Sequence, residues 1–279
     1  MELAMIGDQI VPLAEARISA HDRSIYFGDG VYEVVRYCGG RLFAMDAHIA
    51  RLKNSLREMD MLAKVDLDVI RRRVDRAVAE AGITDALVYF HLSRGSALRS
   101  HDYSDDWEPG FLLTVRAYHE RDAEVRAITH PDWRWKRCDI KSLNLLANVL
   151  AKHAAGRAGA YEALLVDDGG LITEATSSTV FMIKDQILRT APLTANILPG
   201  ITRTYLLEWA ESIGLKSREE CFTVAEALAA DELLLTGTGT EVMGITHLDG
   251  ATIADGIMGS YTHRFHDRLR EAMYETRSH

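Results

Sequence analysis

Cysteine is nearly missing from this chain, and the little there is stands apart: Cys38, Cys138 and Cys221 among 279 residues, odd in number and without a C-x-x-C pair. That spacing suggests neither a disulfide framework nor a zinc site, and no metal is expected. Positive charge is also short, with 32 Lys and Arg against 41 Asp and Glu and a formal net charge of −9. A continuous basic face for nucleic acid or anionic lipid does not fit that balance, although a local basic pocket for a small anion does. Long apolar runs are lacking too: no stretch approaches the roughly 18 uninterrupted apolar residues of a membrane helix. The start, Met1-Glu2-Leu3-Ala4-Met5, has no basic segment leading into an apolar one. Repeats and low-complexity segments are absent as well. The expectation is a soluble, unexported, cytoplasmic protein whose partners are small molecules, not membranes or nucleic acid.

What is present is a chain 47% hydrophobic and 26% charged, enough for one large domain or two of ordinary size. Short strands open it, Leu3 to Ile6 and Gln9 to Pro12 about a Gly7-Asp8 turn, then Val31 to Cys38 reversing at Gly39-Gly40. Ile49, Leu52, Leu56 and Met59 recur at spacings of three and four, and residues 67–82 repeat that pattern up to Gly82. Arg51 falls off this apolar stripe, so periodicity alone turns it toward solvent. Strands follow near 86–92 and 110–115. The polar stretch 118–123 lacks either period and reads as a linker between an N-terminal domain, 1–117, and a C-terminal domain, 124–279. Strands and helices mix without strict βαβ alternation. The fold class is therefore α/β of the α+β type, with mixed or antiparallel sheets and flanking helices.

Lys141 stands before the apolar run Leu143-Asn144-Leu145-Leu146 in a chain with few lysines. If Ser142 caps the helix that follows, the partial positive charge of the helix start disfavours the ammonium and favours a nucleophilic neutral amine. A lysine beside a buried helix is ordinarily a surface residue, so its neighbours must decide. Leu198-Pro199-Gly200-Ile201-Thr202 reads as a helix start whose N–H groups suit a phosphate. Thr236-Gly237-Thr238-Gly239-Thr240 follows a strand and lets backbone amides approach an anion, though a tight turn after a strand is the commoner reason for such glycines. Arg99 and His101 share a polar loop that, if it curls, brings both onto one carboxylate. Glu174 precedes the hydroxyls Thr176, Ser177 and Ser178, which the pattern leaves either as strand surface or as a ligand rim.

These runs resemble, in order along the chain, the D-amino acid transaminases of the fold type IV pyridoxal phosphate enzymes. The likeness rests on residues 27–35, 48–52, 99–101, 137–144, 173–174 and 200–203. It implies a two-domain enzyme with the cofactor between the domains and Lys141 as its Schiff-base lysine and proton carrier. It further implies Glu174 as the partner of the pyridine nitrogen, and Arg51, Ile201, Thr202 and Thr238 as the phosphate group. Tyr32, Arg99 and His101 match the substrate carboxylate group, the arginine and histidine reaching in from a neighbouring subunit of a homodimer. Trp135 resembles an aromatic residue flanking the same cavity. The donor implied is a D-amino acid such as alanine or glutamate, the acceptor a 2-oxo acid.

Two departures stand out. Gly237-Thr238-Gly239 replaces a hydroxyl-rich turn and is nearer to the branched-chain transaminases, and Ala175 and Thr176 replace smaller or hydroxylated neighbours of the glutamate. The competing readings are a branched-chain L-amino acid or (R)-amine transaminase, an aminodeoxychorismate lyase, and a cofactor-binding module without turnover.

Overall fold

The computed structural model describes residues 1–275. Two compact units emerge, one formed by Met1–His119 with Ile140–Asn144, the other by Glu120–Asp139 with Leu145–Glu275. The segment carrying Lys141, expected as part of the second domain, is thus grouped with the first. The last four residues of that expected domain lie outside the described ones.

The first unit holds β1 (Leu3–Ile6), β2 (Gln9–Pro12), α1 (Arg23–Phe27), β3 (Gly30–Cys38), β4 (Arg41–Leu42), α2 (Met45–Glu58), α3 (Leu67–Ala81), β5 (Ala86–Ser93) and β6 (Gly110–Ala117). Its six strands form an antiparallel sheet in the order β2-β1-β6-β5-β3-β4. The helix α3 shows how local chemistry sets the elements. Asp66 accepts from the amides of Asp68 and Val69 at its start, Gly82 ends it in the left-handed region, and Ile70, Val74, Ala77, Val78 and Ala81 form its buried stripe. That stripe and Ile49, Leu52 and Leu56 of α2 pack with Val31 and Val35 of β3 in one core. The alternation of β3 therefore puts Val31, Glu33 and Val35 on the helix side and Tyr32 and Val34 on the other.

The second unit holds β7 (Glu124–Pro131), α4 (Leu146–Arg157), β8 (Glu162–Val166), β9 (Leu171–Ala175), β10 (Thr179–Lys184), β11 (Ile187–Thr190) and α5 (Ile201–Trp209). It continues with β12 (Lys216–Glu219), β13 (Phe222–Thr223), α6 (Val224–Leu228), β14 (Glu232–Gly237), β15 (Glu241–Leu248), β16 (Ala251–Thr252) and α7 (Ser260–Tyr274). Its ten-stranded sheet runs β12-β11-β10-β14-β15-β7-β8-β9-β13, with β16 on β15. Pairing is parallel at β11/β12, β15/β7 and β7/β8 and antiparallel elsewhere. The core runs from Val125 through Leu164, Val180 and Leu235 to Leu248. Mixed sheets with flanking helices are thus what the chain forms.

One local expectation is corrected. The helix after Lys141 begins at Leu146, not at Leu143, and no side chain caps it. Ser142 instead forms a bridge with Val31, while the amide of Tyr32 donates to the Lys141 carbonyl and that of Leu143 to the Gly30 carbonyl. Backbone groups engaged by β3 are not available to a first helical turn, so residues 141–144 run beside the strand and the helix starts beyond them.

Candidate functional site

In the first unit Lys141 is held from both sides of its own peptide. Its amide donates to Ser55 Oγ of α2 at 3.1 Å, and its carbonyl accepts from the Tyr32 amide at 2.9 Å. Its Nζ lies 4.2 Å from the centre of the Tyr32 ring. Lys141 and Tyr32, two of the residues singled out from the sequence, are therefore neighbours. The Tyr32 ring also faces Tyr89, whose hydroxyl is 2.9 Å from His91 Nδ1. Burial raises the Tyr89 phenol and lowers the His91 imidazolium, so both are neutral at neutral pH.

Arg51 does not face solvent. It is 9% exposed, and its Nε and Nη2 donate to the two oxygens of Glu33 at 2.8 Å each. His48 Nδ1 lies 2.7 Å from the same carboxylate. Burial by itself pushes the Glu33 carboxyl up, but the charge of Arg51 and the hydrogen bonds of Arg51 and His48 outweigh it and hold the group at about 2. His48 is driven down by its own burial, against the pull of Glu33, and is neutral. Periodicity misplaces Arg51 because the buried face of α2 is wider than its apolar stripe. His48, Arg51 and Ser55 extend it toward β3, where Glu33 supplies the opposite charge.

Arg99 and His101 lie on an exposed loop. Both approach Phe27, the guanidinium carbon at 5.5 Å and the imidazole centre at 5.4 Å. The curl that brings them to one ring is imposed by Arg23, which donates to the carbonyls of Ser100, His101 and Asp102 while Asp29 holds its Nε at 2.7 Å.

In the second unit Glu174, on β9, is 5% exposed and paired with Arg134. Arg134 also donates twice to Asp132 at 2.9 Å and to the Asn196 carbonyl at 3.1 Å. Burial disfavours the Arg134 cation, yet the hydrogen bond to Asp132 and the charge of Glu174 keep it firmly protonated. Cys138, close by, is pushed up to about 11 by burial and stays a thiol. Trp135 is partly exposed, at 41%. The hydroxyls after Glu174 have a definite destination: Thr176, Ser177 and Ser178 all donate to the fully buried Glu162.

The second anion candidate of the sequence lies against the first. The helix α5 starts at Ile201 after Gly200 with no side-chain cap, and the amides of Ile201 and Thr202 have no partner among the described residues. Thr179 and Thr236 are opposed in register on β10 and β14, and a Cβ on Gly200 would stand 2.9 Å from Thr179 Oγ1. The end of β14 and the Thr238 turn that follows it therefore adjoin the start of α5. Thr236 Oγ1 is buried there without a hydrogen-bond partner. Uncapped amides and an orphaned hydroxyl together suit an anion with several oxygens.

Glu33, Ser55 and Arg134 had no role in the sequence reading. Glu33 carried a usable signal: alternation puts a carboxylate with Val31 and Val35 on the core side of a strand, where it requires a buried cation. Ser55 and Arg134 carried none, because their partners are 86 and 40 residues away.

A family model, Amino-transferase class IV, matches residues 30–248. The D-alanine aminotransferase of Bacillus licheniformis is 38% identical over 277 residues, 96% of this chain and 96% of that protein. The D-alanine aminotransferase of Listeria innocua is 38% identical over 274 residues, 96% of this chain and 94% of that one. The branched-chain amino acid aminotransferase of Escherichia coli superposes with a TM-score of 0.91 over 99% of this chain and 97% of that chain, at 20% identity, a likeness of fold.

Proposed function

The chain belongs to the class IV aminotransferases, and from that premise we propose that it moves the amino group of a D-amino acid to a 2-oxo acid with pyridoxal 5'-phosphate as cofactor. The observation that carries this reading is the full-length likeness to D-alanine aminotransferases. The described residues fit such a cofactor: a lysine amine against an aromatic ring, a buried carboxylate on an arginine, and uncapped amides beside an orphaned hydroxyl.

When bound, the cofactor supplies an aldehyde for the amine and a ring that accepts electrons from the substrate. Lys141 carries the proton to and from the substrate α-carbon. Glu174 would pair with the ring nitrogen of the bound cofactor, and its pairing with Arg134 keeps that carboxylate in place. Arg51, the amides of Ile201 and Thr202, and Thr238 hold the phosphate. Tyr32, Arg99 and His101 hold the substrate carboxylate, the last two acting across a homodimer. The exposure of Arg99 and His101 in the single chain supports that assignment. The cytoplasm is the proposed location, in keeping with three free cysteines.

Two measurements test the reading. Borohydride treatment of the protein loaded with pyridoxal phosphate fixes a pyridoxyl group on Lys141, and Lys141→Ala abolishes both labelling and turnover. A donor panel of D-alanine, L-leucine and (R)-1-phenylethylamine gives its highest rate with D-alanine. A preference for L-leucine transfers the assignment to the branched-chain reading, which the Gly237-Thr238-Gly239 turn supports.

A further inference from the structure

Glu33 is a fully buried charge of the first unit that no step above uses. It has no exposed surface and lies in the middle of β3, between Val31 and Val35 on the core side. Its two oxygens are matched to different atoms of Arg51, Oε1 to Nε and Oε2 to Nη2, each at 2.8 Å. His48 Nδ1 adds a third contact at 2.7 Å to Oε2. A guanidinium is planar, and a carboxylate engaging its Nε and one Nη side-on sets the plane and the direction in which the remaining N–H groups lie. An arginine held by one contact rotates about its last torsions. One held by two is fixed to the strand beneath it.

We propose that Glu33 is a positioning residue that sets the guanidinium plane of Arg51 for the cofactor phosphate, and so sets the preference of the protein for the phosphorylated cofactor over its dephosphorylated form. This rests on the reading of Arg51 as a phosphate ligand. Charge and geometry make opposite predictions here. If Glu33 only neutralises Arg51, its removal makes the local charge more positive and phosphate binding tightens. If it aims Arg51, removal weakens phosphate binding although the local charge has become more positive. His48, held neutral by its burial, adds a hydrogen bond to the carboxylate without adding a second cation, so the charge that Glu33 faces is that of Arg51.

The test compares binding of pyridoxal 5'-phosphate and pyridoxal to the cofactor-free protein by quenching of tryptophan fluorescence. The quantity read is the ratio of the dissociation constant of pyridoxal to that of pyridoxal 5'-phosphate. In Glu33→Gln the expected ratio falls at least tenfold, with pyridoxal itself bound as before. Glu33→Asp keeps the charge but shortens the reach, so it stays informative if the glutamine variant does not fold; the same loss is expected. A ratio that is unchanged or larger in a folded variant overturns the proposal. Arg51→Met is the control for the underlying reading: if it leaves the ratio at the wild-type value, Arg51 is no phosphate ligand and both ideas fall. If Arg51→Met removes the preference while both Glu33 variants retain it, the aiming role of Glu33 alone is overturned.

Discussion

The amide of Tyr32 donates to the carbonyl of Lys141 at 2.9 Å, and the amide of Lys141 donates to Ser55 Oγ at 3.1 Å. Both polar groups of the lysine's own backbone are thereby fixed, one by a strand and one by a helix. The amine above them reaches the Tyr32 ring from a rigid base.

Removing one of these anchors has a defined cost. Ser55→Ala leaves the Lys141 amide without its acceptor at a serine that is 2% exposed. A loss of about 1–2 kcal/mol in urea unfolding is expected, with kcat lowered ~10-fold and KM little changed. An alanine variant as active and as stable as the wild type would show that β3 alone holds the lysine.

Crowding the other anchor acts more strongly. A Cβ on Gly30 would stand 2.5 Å from the Leu92 carbonyl oxygen and 2.9 Å from Leu143 Cδ1. The first is backbone in a paired strand and cannot move alone. Gly30→Ala is expected to cost about 3 kcal/mol, at the upper end of overpacking penalties, and to displace residues 141–144. Thermal unfolding and borohydride labelling of Lys141 read the two effects separately.

In the second unit, Arg134→Met strips the cation from two carboxylates, Asp132 and Glu174, that are 10% and 7% exposed at their side chains. Uncompensated buried charge of this kind costs about 3–5 kcal/mol. Turnover is expected to fall ~100-fold because Glu174 then loses the partner that holds it in place. Arg134→Lys, which keeps the charge without the fork, recovers part of the stability and little of the rate. Chemical denaturation and steady-state kinetics on the two variants check the split.

Acid stability follows from the Glu33 cluster. Glu33 sits at about 2 in the fold against an ordinary value of 4.5, so the unfolded chain binds its proton first as the pH drops. Its contribution, about 3 kcal/mol, is complete above pH 4.5 and lost progressively toward pH 2. His48 adds in the same direction from higher pH. It is buried neutral, while the unfolded chain takes up a proton below about 6.5. Wild type is therefore expected to lose stability on acidification from pH 6.5 downward. Glu33→Gln should flatten the lower part of that curve; urea midpoints across pH 2–7 that run parallel for the two proteins contradict this assignment.

Much of the first unit is legible from its residues. The alternation of Val31 to Cys38, the helix end at Gly82, and the stripes of the two helices are local features, and the structure contains them where the pattern puts them. The Pro199-Gly200 helix start and the Asp249-Gly250 hairpin are local in the same sense. Lys141 and Arg51 are different. The stretch after Lys141 has the composition of a helix, but its first residues are taken by hydrogen bonds to β3, more than a hundred positions earlier. Arg51 has the phase of a surface residue, but a carboxylate on the neighbouring strand draws it inward.

The sequence by itself therefore determined the elements with a short-range cause, the acidic and cysteine-poor character of the chain, and the order of the motifs that place it among the aminotransferases. Tertiary structure alone decided that residues 140–144 return to the first unit, that Glu33 holds Arg51, that Arg134 holds Glu174, and that an orphaned threonine adjoins the start of α5. The reason is common to all four. Backbone hydrogen bonds and buried charges must be satisfied by whatever group the fold brings near, and periodicity carries no information about a partner tens of residues away.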